Sequence, residues 1–347
     1  ANNTAVGQSA LYNNTTGGQN AAFGYYALVS NTTASNNCAF GNQAAQTNTT
    51  GNALIAIGTE ALKANTTGVD SVGIGYRALF KNTTAQGNIG VGFAAMENNT
   101  TGASNVGIGW KALGANTTGG TNTAVGHQSM MSCTTGSNNT TLGYRAAGNL
   151  TTGGVNTCVG YNAGNYGNEL TTGSGNVFIG AYNSPTGATN NDAHGFGYNL
   201  DCAPDYTTLG QGSNDIRAAH GNVTWATVSD ERYKKDIVDS TAGLNFVNAL
   251  QPRTFKYKNL GELPSAFSAY EADSTEVFKN SNTNHGFIAQ EVKAAIDADS
   301  SIKDGFKLWD DRDDGSQEVA EAALIPVLVK AIQELSTENE ALKARLT

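Results

Sequence analysis

The chain has 347 residues with 42 Gly, 5 Pro and only 14% charged side chains: length enough for two domains, and a glycine excess foreign to an ordinary globular enzyme. Up to Val228 there are 6 Lys and Arg against 8 Asp and Glu, and from Ser229 onward 14 against 21, so most of the net −9 sits in the last third. Neither half has the basic footprint of a nucleic-acid binder, and no run of about 18 apolar residues is present to insert in a membrane.

One glycine recurs every 17 residues, at 7, 24, 41, 58, 75, 92, 109, 126, 143 and 160, before the register slips to Gly180, Gly197 and Gly210. A repeat so short and regular predicts stacked coils rather than separate beads. The slot before the glycine is always apolar (Val6, Phe23, Phe40, Ile57 and onward to Val159), which predicts a buried strand position. Three residues after it comes Ala, or Ser129 once, usually followed by Leu or Met, a second inward contact. Asn-Thr-Thr-Gly, as at 14–17 and 48–51, predicts one turn per coil, with Asn and Gly supplying positive φ. Its N-x-T pattern follows the repeat and is a structural turn rather than a set of glycosylation acceptors. A further Asn recurs four residues before the glycine, at 3, 20, 37, 88, 105, 122, 139 and 156, and predicts a side-chain ladder through a narrow core. Ten coils at about 4.8 Å each make a rod about 50 Å long.

The slot after the glycine carries Tyr25, Tyr76, Phe93, Trp110, His127, Tyr144 and Tyr161. Such a column packs on itself or on a neighbouring chain, and Tyr76, Phe93, Trp110, Tyr144 and Tyr161 are also candidate glycan contacts. The array's carboxylates, Glu60, Asp70, Glu97 and Glu169, occupy unmatched slots and form no glycosidase pair within one chain. Cys38, Cys133, Cys158 and Cys202 lack C-x-x-C spacing and are read as small packing residues, so no metal and no cofactor is expected. The chain starts inside a repeat, which predicts a fragment of a longer protein. The array resembles the head repeats of trimeric adhesins and the shaft repeats of phage tail fibres. Whether each chain winds its own coil or three chains share one stays open from the sequence.

Residues 181–228 read as a β-rich connector at the base of the shaft, with strands suggested at 205–210 and 222–228 and with Asp192, His194, Asp201 and Asp205 as candidate receptor contacts. After it, Ser229, Asp230, Arg232, Lys234 and Ile237 stand in the order Ser-Asp-x-Arg-x-Lys-x-x-Ile. Downstream lie Leu244 to Pro252 with Thr254 to Tyr257, then His285 to Val292, then Leu324 to Leu335. Residues 229–347 thereby resemble the self-cleaving intramolecular chaperone domain at the C terminus of phage tail spikes and fibres and of some membrane-bound transcription factors. The resemblance implies an α+β trimerising chaperone with Ser229 as nucleophile and Lys234 as base, cutting the Val228–Ser229 bond once. It also implies supporting places for Asp230, Arg232, His285 and Gln290. A hydroxyl needs a base to become nucleophilic, and a desolvated lysine supplies one; Lys235 is expected to be solvated.

Ile325, Ile332, Asn339 and Leu346 are seven apart, as are Leu328, Leu335 and Leu342, which predicts a coiled-coil seam on a terminal helix, with Asn339 fixing register. Asp310 to Gly315 with Glu321 has the outline of a calcium loop, but Arg312 and Gln317 stand where ligand and apolar residues belong, so a polar hairpin turn is expected.

The expected whole is a mainly β rod of 17-residue coils, trimeric, over 1–180, the connector over 181–228, and an α+β domain over 229–347 ending in a long helix. Its expected role is host attachment as part of a homotrimeric tail fibre or tailspike in a virion, the receptor being a polysaccharide or outer-surface protein. The chaperone would act during assembly in the host cytoplasm. A cell-surface trimeric adhesin and a polysaccharide-degrading spike are the alternatives.

Overall fold

Each 17-residue repeat forms one coil of a β-solenoid, wound by the chain on itself. The computed structural model describes residues 2–221, 231–299, 302, 308–311 and 316–346, in two units, Ala1–Asp230 and Glu231–Thr347. In the first, three-residue strands from Thr4–Val6 to Val177–Ile179 pair in parallel, each residue beside its counterpart one coil on, as Thr4 beside Ala21 and Val6 beside Phe23. The sheet continues through His194–Tyr198 and Tyr206–Gln211 and is closed by the antiparallel strand Asn214–Ala219. The shaft therefore does not stop at residue 180: much of the expected connector is further solenoid, and the slipped glycine spacing marks coils of unequal length. The expected strand at 222–228 lies outside the described residues.

In the three-residue strands from Ala21–Phe23 to Val177–Ile179 only the central residue is buried. Ala22, Ala39, Ala56, Ala124, Cys158 and Phe178 are fully buried there. The slot before the glycine, expected inside, faces out: Val6 is 56% and Leu142 49% exposed. Strand alternation explains the correction, because flanking residues two apart share the face opposite the central one. The Ala-Leu pair does point inward, with Ala27, Leu28, Ala61, Leu62, Ala78 and Leu79 fully buried.

The recurring glycines sit at φ between 127° and 142° in the ten regular coils. At Gly92 an added Cβ would meet the Gly109 carbonyl oxygen at 2.6 Å, so both conformation and close approach demand glycine. The Asn-Thr-Thr-Gly turn was expected to supply positive φ, yet the left-handed residues lie elsewhere. They include Leu28, Leu62, Leu79 and Leu113 at φ of 50–55°. Left-handed backbone costs a bulky residue about 1–2 kcal/mol, which burial of the leucine, worth about 1.5–3 kcal/mol, offsets. Gly17, Gly51 and Gly68 serve close approach instead, since a Cβ at each would overlap the equivalent carbonyl of the next coil.

Two asparagine ladders run up the interior. In the expected one, Asn3 Oδ1 accepts from the Asn20 backbone N–H at 2.9 Å, and Asn20 Oδ1 from that of Asn37 at 3.0 Å. The other belongs to the turn: Asn31, Asn48, Asn65, Asn82, Asn99 and Asn116 each donate Nδ2 to the Oδ1 of the Asn one coil earlier, at 2.7–3.1 Å. The adjacent threonine hydroxyls of Thr15, Thr32 and Thr49 donate to the carbonyls of Thr32, Thr49 and Thr66. Buried amides are thus satisfied coil by coil, up to Asn116, whose Oδ1 finds no partner.

In the second unit, α1 (Leu244–Ala249), α2 (Ala289–Ala298) and α3 (Leu324–Leu346) share one core. Phe246, Leu250, Val292, Ile296, Leu308, Leu324 and Val327 are its buried members. Glu334 on α3 accepts the Leu244 N–H at 2.7 Å, supplying a cap to α1, whose own N-cap is Gly243. Arg253–Phe255 pairs antiparallel with Asn284–Gly286, and Trp309–Asp311 with Gln317–Val319. The latter pairing brackets the segment expected to be a hairpin turn; residues 312–315 lie outside the described residues.

Candidate functional site

Val228, Ser229 and Asp230, the expected scissile bond and the start of the nucleophile segment, lie outside the described residues. The description resumes with a 3-10 turn, Glu231–Tyr233, where the Lys234 N–H donates to the Glu231 carbonyl at 2.9 Å. Arg232, Lys234 and Lys235 are all exposed in the single chain. Burial within one copy therefore does not separate the expected base Lys234 from its neighbour. Ile237 and Val238 also stand out in solvent, at 62% and 84% exposure.

His285 and Gln290 do come together, in the wall of one cavity of about 810 Å³. The strand Asn284–Gly286 carries His285 opposite Thr254, and the first turn of α2 carries Gln290. Phe255, Tyr257, Phe267 and Phe278 form the aromatic side of the cavity, and Lys279, Gln317 and Glu321 add polar groups. Lys279 Nζ lies over the Tyr257 and Phe278 rings, 5.3 and 5.5 Å from their centroids. Arg253 grips Glu291 with two bonds of 2.9 and 2.7 Å, fastening the strand to α2. Those bonds hold the Glu291 carboxyl below the usual carboxylate range and raise the Arg253 guanidinium. The sequence reading missed this pair, although Glu291 follows Gln290 directly and Arg253 lies between two quoted stretches.

Helix α3 has two apolar stripes. Leu324, Val327 and Ala331 are buried on their own unit. The expected seam, Ile325, Leu328, Ile332, Leu335, Leu342 and Leu346, is 43–80% exposed, and Asn339 is exposed with it. The seam is left over after the helix has packed at home.

On the solenoid, three outward columns flank the recurring glycine: the slots three and one before it, and the slot after. Ile55, Ile57, Ile89 and Ile108 are 38–39% exposed in the first two. In the third, Tyr76, Phe93, Trp110, His127, Tyr144 and Tyr161 stack in sequence, centroids 4.7–6.2 Å apart and planes within 18°. Each inner ring thus covers the faces of its neighbours and presents its edge. Of the array carboxylates, Glu60 and Glu97 both bind Arg77, at 3.5 and 2.8 Å, a structural clamp. Among the former connector residues, His194 packs on His220 with centroids 4.6 Å apart and titrates below the ordinary histidine value through partial burial. Cys133, Cys158 and Cys202 are buried free thiols, the first pushed up to about 11 and the others to about 12 by desolvation. Among the described residues no cluster of three potential metal ligands occurs, and no helix is long and apolar enough to cross a membrane.

Residues 229–299 match the family model described as chaperone of endosialidase, a peptidase S74 domain. The match opens on Ser229 and takes in α1, the paired strands and all of α2. Comparison with the curated proteins and with the solved structures gave no significant match. The family is that of a self-cleaving, serine-peptidase-like intramolecular chaperone. Such a domain together with a β-solenoid fits a phage tail fibre or tailspike.

Proposed function

We propose that this chain is part of a homotrimeric phage tail fibre or tailspike, that its solenoid serves host attachment, and that residues 229–347 direct trimer folding and then cut themselves off. The observation that carries this is the chaperone-of-endosialidase match beginning at Ser229, immediately after a repeat array. A repetitive array mispairs by one coil at nearly equal energy, and a trimerising domain at one end removes that degeneracy. The exposed seam of α3 supports the trimer, because six apolar side chains at heptad spacing stay 43–80% exposed among the described residues. The product is a virion component, assembled in the host cytoplasm, whose receptor is a polysaccharide or an outer-surface protein.

The cut proceeds at the Val228–Ser229 bond. Lys234, as a neutral amine, takes the proton of the Ser229 hydroxyl while Oγ attacks the Val228 carbonyl carbon. The C–N bond breaks, the proton passes to the departing nitrogen, and an ester joins Val228 to the Ser229 oxygen. Water hydrolyses that ester, leaving a carboxylate at Val228 and a free amine at Ser229. Each chain reacts once. The remaining fibre is kinetically locked, because the domain that nucleated its assembly has gone. Intact-mass measurement of the purified chain over time tests this: cleavage between Val228 and Ser229 is expected in the wild type and none in Ser229→Ala. A short product persisting in Ser229→Ala refutes the mechanism.

A further inference from the structure

The outward face of the solenoid sheet is anomalous for a surface. Across the eleven coils from Thr4–Val6 to Val177–Ile179, none of the three columns beside the recurring glycine holds an Asp, Glu, Lys or Arg. Every charge of the array lies in other slots. Isoleucines such as Ile55, Ile57, Ile89 and Ile108 stand on this face with more than a third of their surface exposed. Eleven coils of about 4.8 Å and a width of about four residues give a patch of about 700 Å². Threonines and the polar Gln8, Asn42 and His127 share these columns with the apolar side chains, so the face is uncharged rather than wholly apolar, and its area is close to the about 800 Å² that a stable interface buries on each partner. The face is therefore of interface size and none of its column residues is charged, Lys111 reaching over it from the neighbouring slot with Nζ 4.7 Å from the Trp110 ring centroid.

We infer that this face is the surface through which the solenoids of separate copies of this chain pack side by side, in coil register. Only a surface with the same coil rise matches three parallel columns over eleven coils, and another copy of the chain supplies it. The stacked ring column then lies in or beside the contact, edge-on, where aromatic edges suit the faces of neighbouring side chains. Receptor contacts fall to the polar turns and the charged slots. The inference rests on the trimer reading given above, and adds to it where along the array the copies meet.

Cys38 is a built-in probe, because it is half-buried on this face while Cys133, Cys158 and Cys202 are buried in the core. Its neighbour in the next coil is Ile55, directly paired with it. The full chain is treated with a short bis-maleimide and run on a denaturing gel, with sedimentation of the untreated sample in parallel. The expected result is covalently linked chains, lost in Cys38→Ser. Ile55→Lys, which sets an unpaired charge in the contact, lowers the yield about tenfold or more with the far-UV spectrum unchanged. A trimer by sedimentation whose Cys38 thiols all react with a monofunctional maleimide and never link overturns the inference and leaves the trimer standing. A monomer overturns the trimer reading itself. The wild-type experiment needs no substitution, so a variant that misfolds does not leave the question open.

Discussion

Asn116 donates its side-chain amide to Asn99 Oδ1 at 2.7 Å, but its own Oδ1 is buried without a partner, because the next coil offers Cys133 in the ladder slot. The Cys133 thiol turns instead toward the Gly136 carbonyl at 3.7 Å. Above it the slot passes to Leu150 and Leu170, both fully buried, so it accepts leucine sterically.

The ladder end and the ladder middle should therefore respond differently to the same substitution. Asn65→Leu strands Asn48 Oδ1 and takes from the Gly68 carbonyl its bond from the Asn65 amide. Asn116→Leu strands Asn99 Oδ1 but removes an existing orphan, and the Gly119 carbonyl keeps the Asn105 amide at 2.9 Å. Asn65→Leu is expected to cost about 1–3 kcal/mol and Asn116→Leu close to nothing, read as shifts of the urea midpoint.

Glycine positions separate in the same way. Gly92→Ala meets both a φ of 132° and the Gly109 carbonyl, and should cost about 3 kcal/mol or more. Gly120 has no left-handed backbone, and its slot holds Ser, Val, Gln or Ala in other coils, so Gly120→Ala should stay within about 1 kcal/mol. Equal losses in thermal unfolding would refute the distinction.

These contrasts show what was legible. The 17-residue period made the coils readable, since glycine marks a backbone that nothing else adopts, and the heptad of α3 was equally plain. The sidedness of the strands was not readable. Apolar Ile57 and Val91 invite an inward placement, whereas the true inward slots hold Ala56 and Gly90, too small to leave a hydrophobic signature. Left-handed leucines such as Leu79 give no local sign, since nothing in a leucine side chain favours positive φ. The cavity around His285 was hidden because its wall gathers segments dozens of residues apart, Phe255, Phe267, Phe278 and Gln317 among them.

The two stripes of α3 predict opposite defects. Ile332 is 65% exposed, so Ile332→Asp should leave the fold of the unit intact and abolish self-association by sedimentation. Val327 is 3% exposed, and Val327→Asp should unfold the unit itself. Association unchanged in Ile332→Asp would exclude the seam.

The Arg253–Glu291 pair sets a pH signature. Glu291 has its carboxyl depressed in the folded state, so its contribution is present above the unfolded carboxylate value of about 4.3 and is lost as pH falls through the depressed one. Glu291→Gln should therefore lower the melting temperature at neutral pH, with the gap to wild type closing in acid. Both side chains are partly exposed, so the effect should also shrink in high salt. A gap that widens in acid would reverse the assignment.

Lys234 and Lys235 are adjacent and both exposed in one copy. If Lys234 is the base, Lys234→Ala should slow the cut about 100-fold or more, whereas Lys235→Ala should cut as wild type. Ile332→Asp, which removes the partners without touching the segment, should cut more slowly than wild type. Time courses by intact mass check the three variants against wild type. Loss of cutting in Lys235→Ala with a normal Lys234→Ala would move the base by one residue.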